Sequence, residues 1–294
     1  MKKRRWRDFG LAGLMLGPSA AVLSLFVIYP LVKAVWYGRQ RCDASLSKCR
    51  TTSWHQYIDA FRSNEFQDSL IVTLKYALIT VPIGLVLGIA LAVLADKHIK
   101  GIGIFRTIFS STVATSVAVA SVMWFFLLNP SVGILADWLG GSAKTPGLLQ
   151  KQGLALWAVS ASSIWANLGF TFIVVTAGLQ SVPKDLYESA YVDGANGWSR
   201  FTNVTLPMIS PTLLFASVVL VTRAFQSFGE IDLLTAGGPK GETTTLTYLA
   251  YGQGLATSND GGLRATVSVL LFFVLLILAL VQFRGLEKRV HYGN

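Results

Sequence analysis

Arg223 and Gln226 stand three residues apart in "FASVVLVTRAFQSFGEID", an otherwise apolar run, with Glu230 and Asp232 close behind. On a helix that spacing places Arg223 and Gln226 on one face. An ionisable side chain in hydrocarbon costs roughly 3 kcal/mol or more unless it is paired or wet. A guanidinium facing a watered path would grip a phosphate or a hydroxyl-rich cargo through paired hydrogen bonds. The bland alternative is an ion pair between Arg223 and Glu230, one heptad apart, that only locks helices together. "SSIWANLGF" adds Trp165 and Asn167, which could stack on and hydrogen-bond to a polyol. Trp165 equally suits packing against a neighbouring helix. Lys75 reads as a side chain that snorkels to the interface rather than one that holds cargo.

Covalent chemistry is not expected of this chain. It has no Gly-x-x-x-x-Gly-Lys-Ser/Thr phosphate loop and no cluster of His, Asp and Glu inside its apolar runs. No catalytic residue, metal site or bound cofactor is expected. Cys42 and Cys49, with six residues between them, are close enough for a small disulfide, and an oxidising outer face would permit one. The alternative is two free thiols without a role.

These side chains must be positioned by membrane helices. With 52% apolar and only 14% charged residues in 294, the chain is too greasy for an ordinary soluble domain. Six stretches are long enough to cross a bilayer, at about 11–32, 70–95, 107–128, 154–179, 208–228 and 265–283. The expected architecture is an all-α integral membrane protein, one domain over 1–294. The first stretch exceeds a signal peptide's apolar run and lacks a small-residue cleavage site after it, so it reads as a true span. "MKKRRWR" carries five basic residues, "ADKHIKGIGIFR" three and the tail "FRGLEKRVHYGN" three. Six spans put all three on one side, so both termini are expected in the cytoplasm. The loop 33–62 runs against this with six basic residues on the other side, but the first helix usually dominates. The net charge of +10 is spread over span ends, which suits anionic lipid and argues against nucleic acid.

Between the fourth and fifth stretches lies a polar, well-punctuated segment, 182–207, containing "ESAYVDGANGWSRFTNVTLP". Ser181 is placed to cap a helix, Pro183 falls in its first turn, and Asp185 and Glu188 sit near its positive end. Leu186, Ala190 and Asp193 lie close to one face. Gly194 ends that helix, Gly197 permits a second turn, and Leu206-Pro207 breaks the chain where the next span begins. Two short helices at a bend form a knob suited to a groove on another protein. A helix resting on lipid is the rival reading, but this face carries acids rather than lysines.

The segment resembles the EAA signature of permeases of binding-protein-dependent ABC importers, through Glu188, Ala190, Gly194, Leu206 and Pro207. The signature's central alanine is Ser189 here. "FQSFGEIDLLTAGGPKGETTTLTYLAYGQGL", with Gly237-Gly238-Pro239 before Thr243–Thr245, resembles the carbohydrate-uptake branch. Within it the look is of A-type permeases for glycerol phosphate or glycerophosphodiesters, or of F-type maltose permeases. The resemblance spans essentially the whole chain. It implies the type I importer fold in a bacterial inner membrane, with 182–207 as a cytoplasmic coupling loop. Glu188, Ser189, Ala190, Asp193, Gly194, Gly197, Leu206 and Pro207 would then seat against an ATPase. The implied partners are a second similar permease, two cytoplasmic ATPase subunits that consume ATP and magnesium, and an extracytoplasmic substrate-binding protein. The implied cargo is a sugar, polyol, glycerol phosphate or glycerophosphodiester. The competing reading is an ion-coupled secondary transporter, which would call for an inverted repeat and midplane carboxylates.

Overall fold

Charge-free runs of Leu, Val, Ile and Ala leave backbone polar groups one way of being satisfied in hydrocarbon, and the chain is accordingly helical almost throughout. The computed structural model describes residues 2–43, 45–51, 53–96, 100–131, 133–135, 147–252 and 260–287. Parts of the basic turn (97–99) and of the tail (288–294), which entered the orientation argument, lie outside these residues, as does 136–146.

Among the described residues, four helical runs are long and apolar enough to cross a membrane alone: Gly13–Tyr37, Asn64–Ala95, Ala155–Gln180 and Gly261–Arg284. Two further crossings are bent pairs, Ile102–Ala114 with Val117–Leu128 at 105° and Gly197–Met208 with Ser210–Phe225 at 68°. Counting each pair as one span gives six. The third and fifth, expected as straight runs at 107–128 and 208–228, are therefore broken. In the third, Thr112–Ala114 tightens into a 3-10 turn, Thr115 is extended, and Ser116 caps the following helix by accepting Val119 N. Ser110, Ser111 and Thr112 donate to the carbonyls of Thr107, Ile108 and Phe109, so hydroxyls absorb what the break exposes.

The chain divides into two compact units. The first comprises Met1–Phe66 and Ala250–Phe273. Here β1 (Gln40–Cys42) pairs antiparallel with β2 (Cys49–Thr51), and Cys42 is bonded to Cys49. Asp43 orders the turn: it accepts the hydroxyls of Ser47 (2.6 Å) and Ser45 (3.0 Å) and the amides of Ser47 and Lys48. The Ser47 hydroxyl foremost, then the Lys48 amide, holds its carboxyl down at about 2. Asp260 Oδ1 joins the hairpin to the last span, accepting Cys42 N at 3.2 Å and Gly262 N at 2.9 Å. Gly262 is required there, because a Cβ would collide with the Gln40 carbonyl.

The second unit comprises Gln67–Leu249 and Val274–Asn294, and α7 (Ala155–Gln180) is its hub. Small residues let its neighbours approach. Gly88 of α4 (Asn64–Ala95) lies on Thr171, and Gly178 lies on Thr212. At one end Ala92, Ala95, Phe172, Val175, Leu179, Val182 and Ile209 form a buried cluster. Gly169 faces main chain, since a Cβ there would sit 2.9 Å from both Phe109 O and Val113 N. Main chain cannot swing aside as a side chain can. Gly169→Ala is therefore expected to lose about 1–3 kcal/mol of stability. Gly84→Ala, whose Cβ meets nothing within 4 Å, should be near neutral. Thermal unfolding of the two purified variants checks this, and equal midpoints would refute the contact.

Candidate functional site

A cavity of about 650 Å³ opens in the second unit, between the break in the third span and the unwound end of the fifth. Its walls come from the break after α5 (Ile102–Ser111), from α7, and from the chain beyond α11 (Ser210–Phe225). The fifth span stops at Phe225 rather than 228. Residues 226–228 are unwound, and a short helix α12 (Gly229–Leu234) follows. Unwound backbone survives at membrane depth only if its polar groups find partners. Threonines supply them. Thr247 donates to Phe225 O, Thr245 to Ser227 O at 3.3 Å, Thr244 to Gly237 O at 3.0 Å and Thr243 to Gly238 O at 2.8 Å. Thr73 of α4 in turn accepts Leu246 N at 2.9 Å. Thr243 and Thr244 thus close their own Gly-Gly-Pro turn, while Thr245 takes up a carbonyl of the unwound end of the fifth span.

Arg223 Nη1 donates to Asn167 Oδ1 at 2.8 Å, and its guanidinium lies 4.5 Å from the Phe170 ring centroid. Asn167 is itself held by donating to Ser163 O at 2.9 Å. The side-chain carboxylate of Glu230 is buried and has other partners: its Oε2 accepts the hydroxyl of Ser227 and, at 3.3 Å, that of Tyr76. Arg223 and Glu230 each bond other partners, so the helix-locking pair between them does not form. Gln226 joins Arg223, Asn167 and Glu230 on the cavity wall. Trp165 stands edge-on to Trp124 at 6.4 Å, and its neighbours Ala166 and Asn167 do the lining.

Sequence reasoning missed Phe170, Ser163, Ser227 and Tyr76. Three of these carried a signal. Ser163, Asn167 and Phe170 follow at i, i+4 and i+7 on one helix face, and Ser227 precedes Glu230 by three. Tyr76 carried none, because only packing brings it to residue 230.

The polar segment folds as a second, exposed feature. Its first helix, α8 (Lys184–Val192), is preceded by Pro183 at the cap position. Ser181 does not cap it, contrary to expectation: its hydroxyl donates to Gly178 O at 2.7 Å, closing the end of α7. Ala195 N bonds Ala190 O at 2.9 Å and Gly194 N bonds Tyr191 O at 3.0 Å, the doubled closure that needs a left-handed residue. Gly194 supplies it with φ +75°. Asn196 then caps α9 (Gly197–Arg200) by accepting Ser199 N at 2.8 Å. A π turn, Phe201–Thr205, precedes α10 (Leu206–Met208), so Pro207 is taken up at a helix start and the bend falls at Ile209. Glu188, Ser189, Asp193, Gly194, Gly197 and Leu206 are exposed, Ala190 and Pro207 half-buried. Beside them Tyr191, Val192 and Trp198 are 71%, 84% and 73% exposed.

A cavity at the end of a bent span, with a rigid exposed knob on the same helical unit, fits a membrane-embedded transport subunit. Residues 57–292 match the family described as binding-protein-dependent transport system inner membrane component, and the chain belongs to that family. It is 33% identical over 291 residues to the sn-glycerol-3-phosphate transport system permease protein UgpA of Salmonella choleraesuis (strain SC-B67), covering 99% of this chain and 97% of that protein. The UgpA of Yersinia enterocolitica is 34% identical over 280 residues, 95% of each chain. Among solved structures, a bacterial ABC transporter involved in import of the acidic polysaccharide alginate aligns with a TM-score of 0.80. That alignment covers 97% of this chain and 99% of the other at 23% identity, so it speaks for the fold: the type I importer permease. Family membership sets aside the ion-coupled carrier.

Proposed function

We propose that this chain is half of the membrane pore of an ATP-driven importer and that segment 182–207 is where a cytoplasmic ATPase pushes on it. The supporting observation is the knob itself. Tyr191, Val192 and Trp198 stand out of the fold around a glycine-locked turn, with Glu188 exposed beside them. Large apolar side chains so exposed gain little from this chain and much from a groove on a partner. Anionic lipid is a poor alternative partner, because Asp185, Glu188 and Asp193 share the segment. In this reading the segment and both termini face the cytoplasm of a bacterial cell. Two ATPase subunits consume ATP and magnesium, a second permease completes the pore, and a binding protein delivers cargo from outside. Closure of the ATPases would swing the two permeases as rigid bodies between inward- and outward-facing states.

The cavity is the cargo path. Arg223, oriented by Asn167 and backed by Phe170, suits an anionic oxygen cluster. That agrees with the sn-glycerol-3-phosphate named for the UgpA relatives, so the cargo class is glycerol phosphate or a glycerophosphodiester. The test is ATP hydrolysis by the purified complex. Hydrolysis should rise several-fold only when binding protein and its ligand are both added. Uptake that continues without the ATPase subunits overturns the proposal.

A further inference from the structure

The short helix α3 (His55–Arg62) lies between the disulfide-bonded hairpin and the second span, and it has three kinds of surface. Gln56 and Ala60 are buried in the first unit. His55, Asp59 and Arg62 are exposed and polar. Trp54, which opens the helix, and Ile58 and Phe61 are 55%, 49% and 53% exposed. At i, i+4 and i+7 these three share one face, so the exposed part of α3 divides lengthwise into an apolar strip and a charged flank.

What covers the strip follows from its depth. Tyr57 donates to Val35 O at 2.9 Å, in the last turn of the first span, Gly13–Tyr37. Gln56 Nε2 donates to Thr266 Oγ1 at 3.4 Å, in the second turn of the last span, Gly261–Arg284. Both bonds pin α3 at the level where two spans leave the hydrocarbon. Arg39 ties Trp54 to the same level. Its guanidinium lies 5.0 Å from the ring centroid of Trp36, beside the end of the first span, and 4.7 Å from that of Trp54. Among the described residues Nε of Arg39 is buried without a hydrogen-bond partner. A cation stacked on indole rings at this depth suits the phosphates of lipid headgroups.

We propose that α3 is a half-inserted interfacial helix, whose strip of Trp54, Ile58 and Phe61 enters the lipid at the boundary between headgroups and acyl chains. The partner is the phospholipid surface itself. A second protein subunit is the competing occupant, and the charged flank decides between them. A helix lying in the interface plane has such a flank beside its apolar strip, whereas the core of a protein interface is depleted of charge. The tryptophans add to this, since indole is enriched at headgroup level. The proposal goes beyond the transport reading and holds whatever the cargo is.

Nitroxide labels on three single variants, Ile58→Cys, Phe61→Cys and Asp59→Cys, test this in the full transporter, assembled in phospholipid vesicles with partner subunits freed of cysteine. Cys42 and Cys49 are bonded to each other, so each new thiol takes the label. Power saturation then compares oxygen, which concentrates in lipid, with a water-soluble nickel chelate. The oxygen-to-nickel accessibility ratio at Ile58→Cys and Phe61→Cys should exceed that at Asp59→Cys about threefold or more, as for a face sunk roughly 5–10 Å into the boundary. Equal ratios at all three positions put the strip in water and overturn the proposal. Labels at Ile58→Cys and Phe61→Cys that neither relaxant reaches mark a protein cover and overturn it as well. The two strip positions report independently, so the other decides should one variant fail to assemble.

Discussion

Replacing Glu188 by lysine, or Gly194 by aspartate, is expected to cut transport by about tenfold or more, the loss typical of a central interface contact. The fold itself should survive both changes. Glu188 is exposed and its side chain bonds none of the other described residues, so reversing its charge costs the permease little by itself. Gly194 has open space within 4 Å of a built Cβ, and its φ of +75° is one that aspartate tolerates at about 1 kcal/mol. A severe effect at a position with room around it must therefore come from something outside this chain. The measurement is paired: co-purification of the ATPase subunits, and uptake driven by ATP in proteoliposomes. Loss of both, with the permease still in the membrane, supports the docking role. A fully assembled, fully transporting complex from either variant removes it.

Arg223→Ala is the second. Uptake should fall by roughly 10- to 100-fold, corresponding to about 1.5–3 kcal/mol for a lost charge-assisted hydrogen bond. Assembly should be intact, because among the described residues the guanidinium bonds Asn167 and a ring face rather than a buried carboxylate. The contrast with Glu230 sharpens this. Had Arg223 been its ion-pair partner, alanine would strand a buried negative charge and the protein would fail to fold. Normal thermal stability with reduced uptake is the expected signature. Normal uptake removes Arg223 from the path, and loss of folding returns it to a structural role.

Much of this site could be read in advance, and for uneven reasons. Gly194 as a helix stop was legible because a left-handed residue has few possible identities. Ser181 was misplaced by three residues of local pattern: a hydroxyl before a helix can cap it or close the previous one, and the closing bond to Gly178 won. The cap that does form, Asn196, carried the same signal as Ser181 and was passed over for the glycine beside it. Arg223 and Glu230 stood out because charges are conspicuous in hydrocarbon. Their pairings did not, since Asn167 lies 56 residues from Arg223 and Tyr76 154 residues from Glu230 along the chain.

Composition and charge alone determined that this is a helical membrane protein with six crossings' worth of hydrocarbon and one polar knob. Those properties follow from the cost of burying or exposing each residue where it stands, and that cost is local. Where the fifth span ends was decided by tertiary structure. Its last turn opens because hydroxyls from Thr245 and Thr247 arrive to take its abandoned carbonyls. The pairing of Arg223 with Asn167, rather than with Glu230, was settled in the same way, by which helix packs close enough to compete.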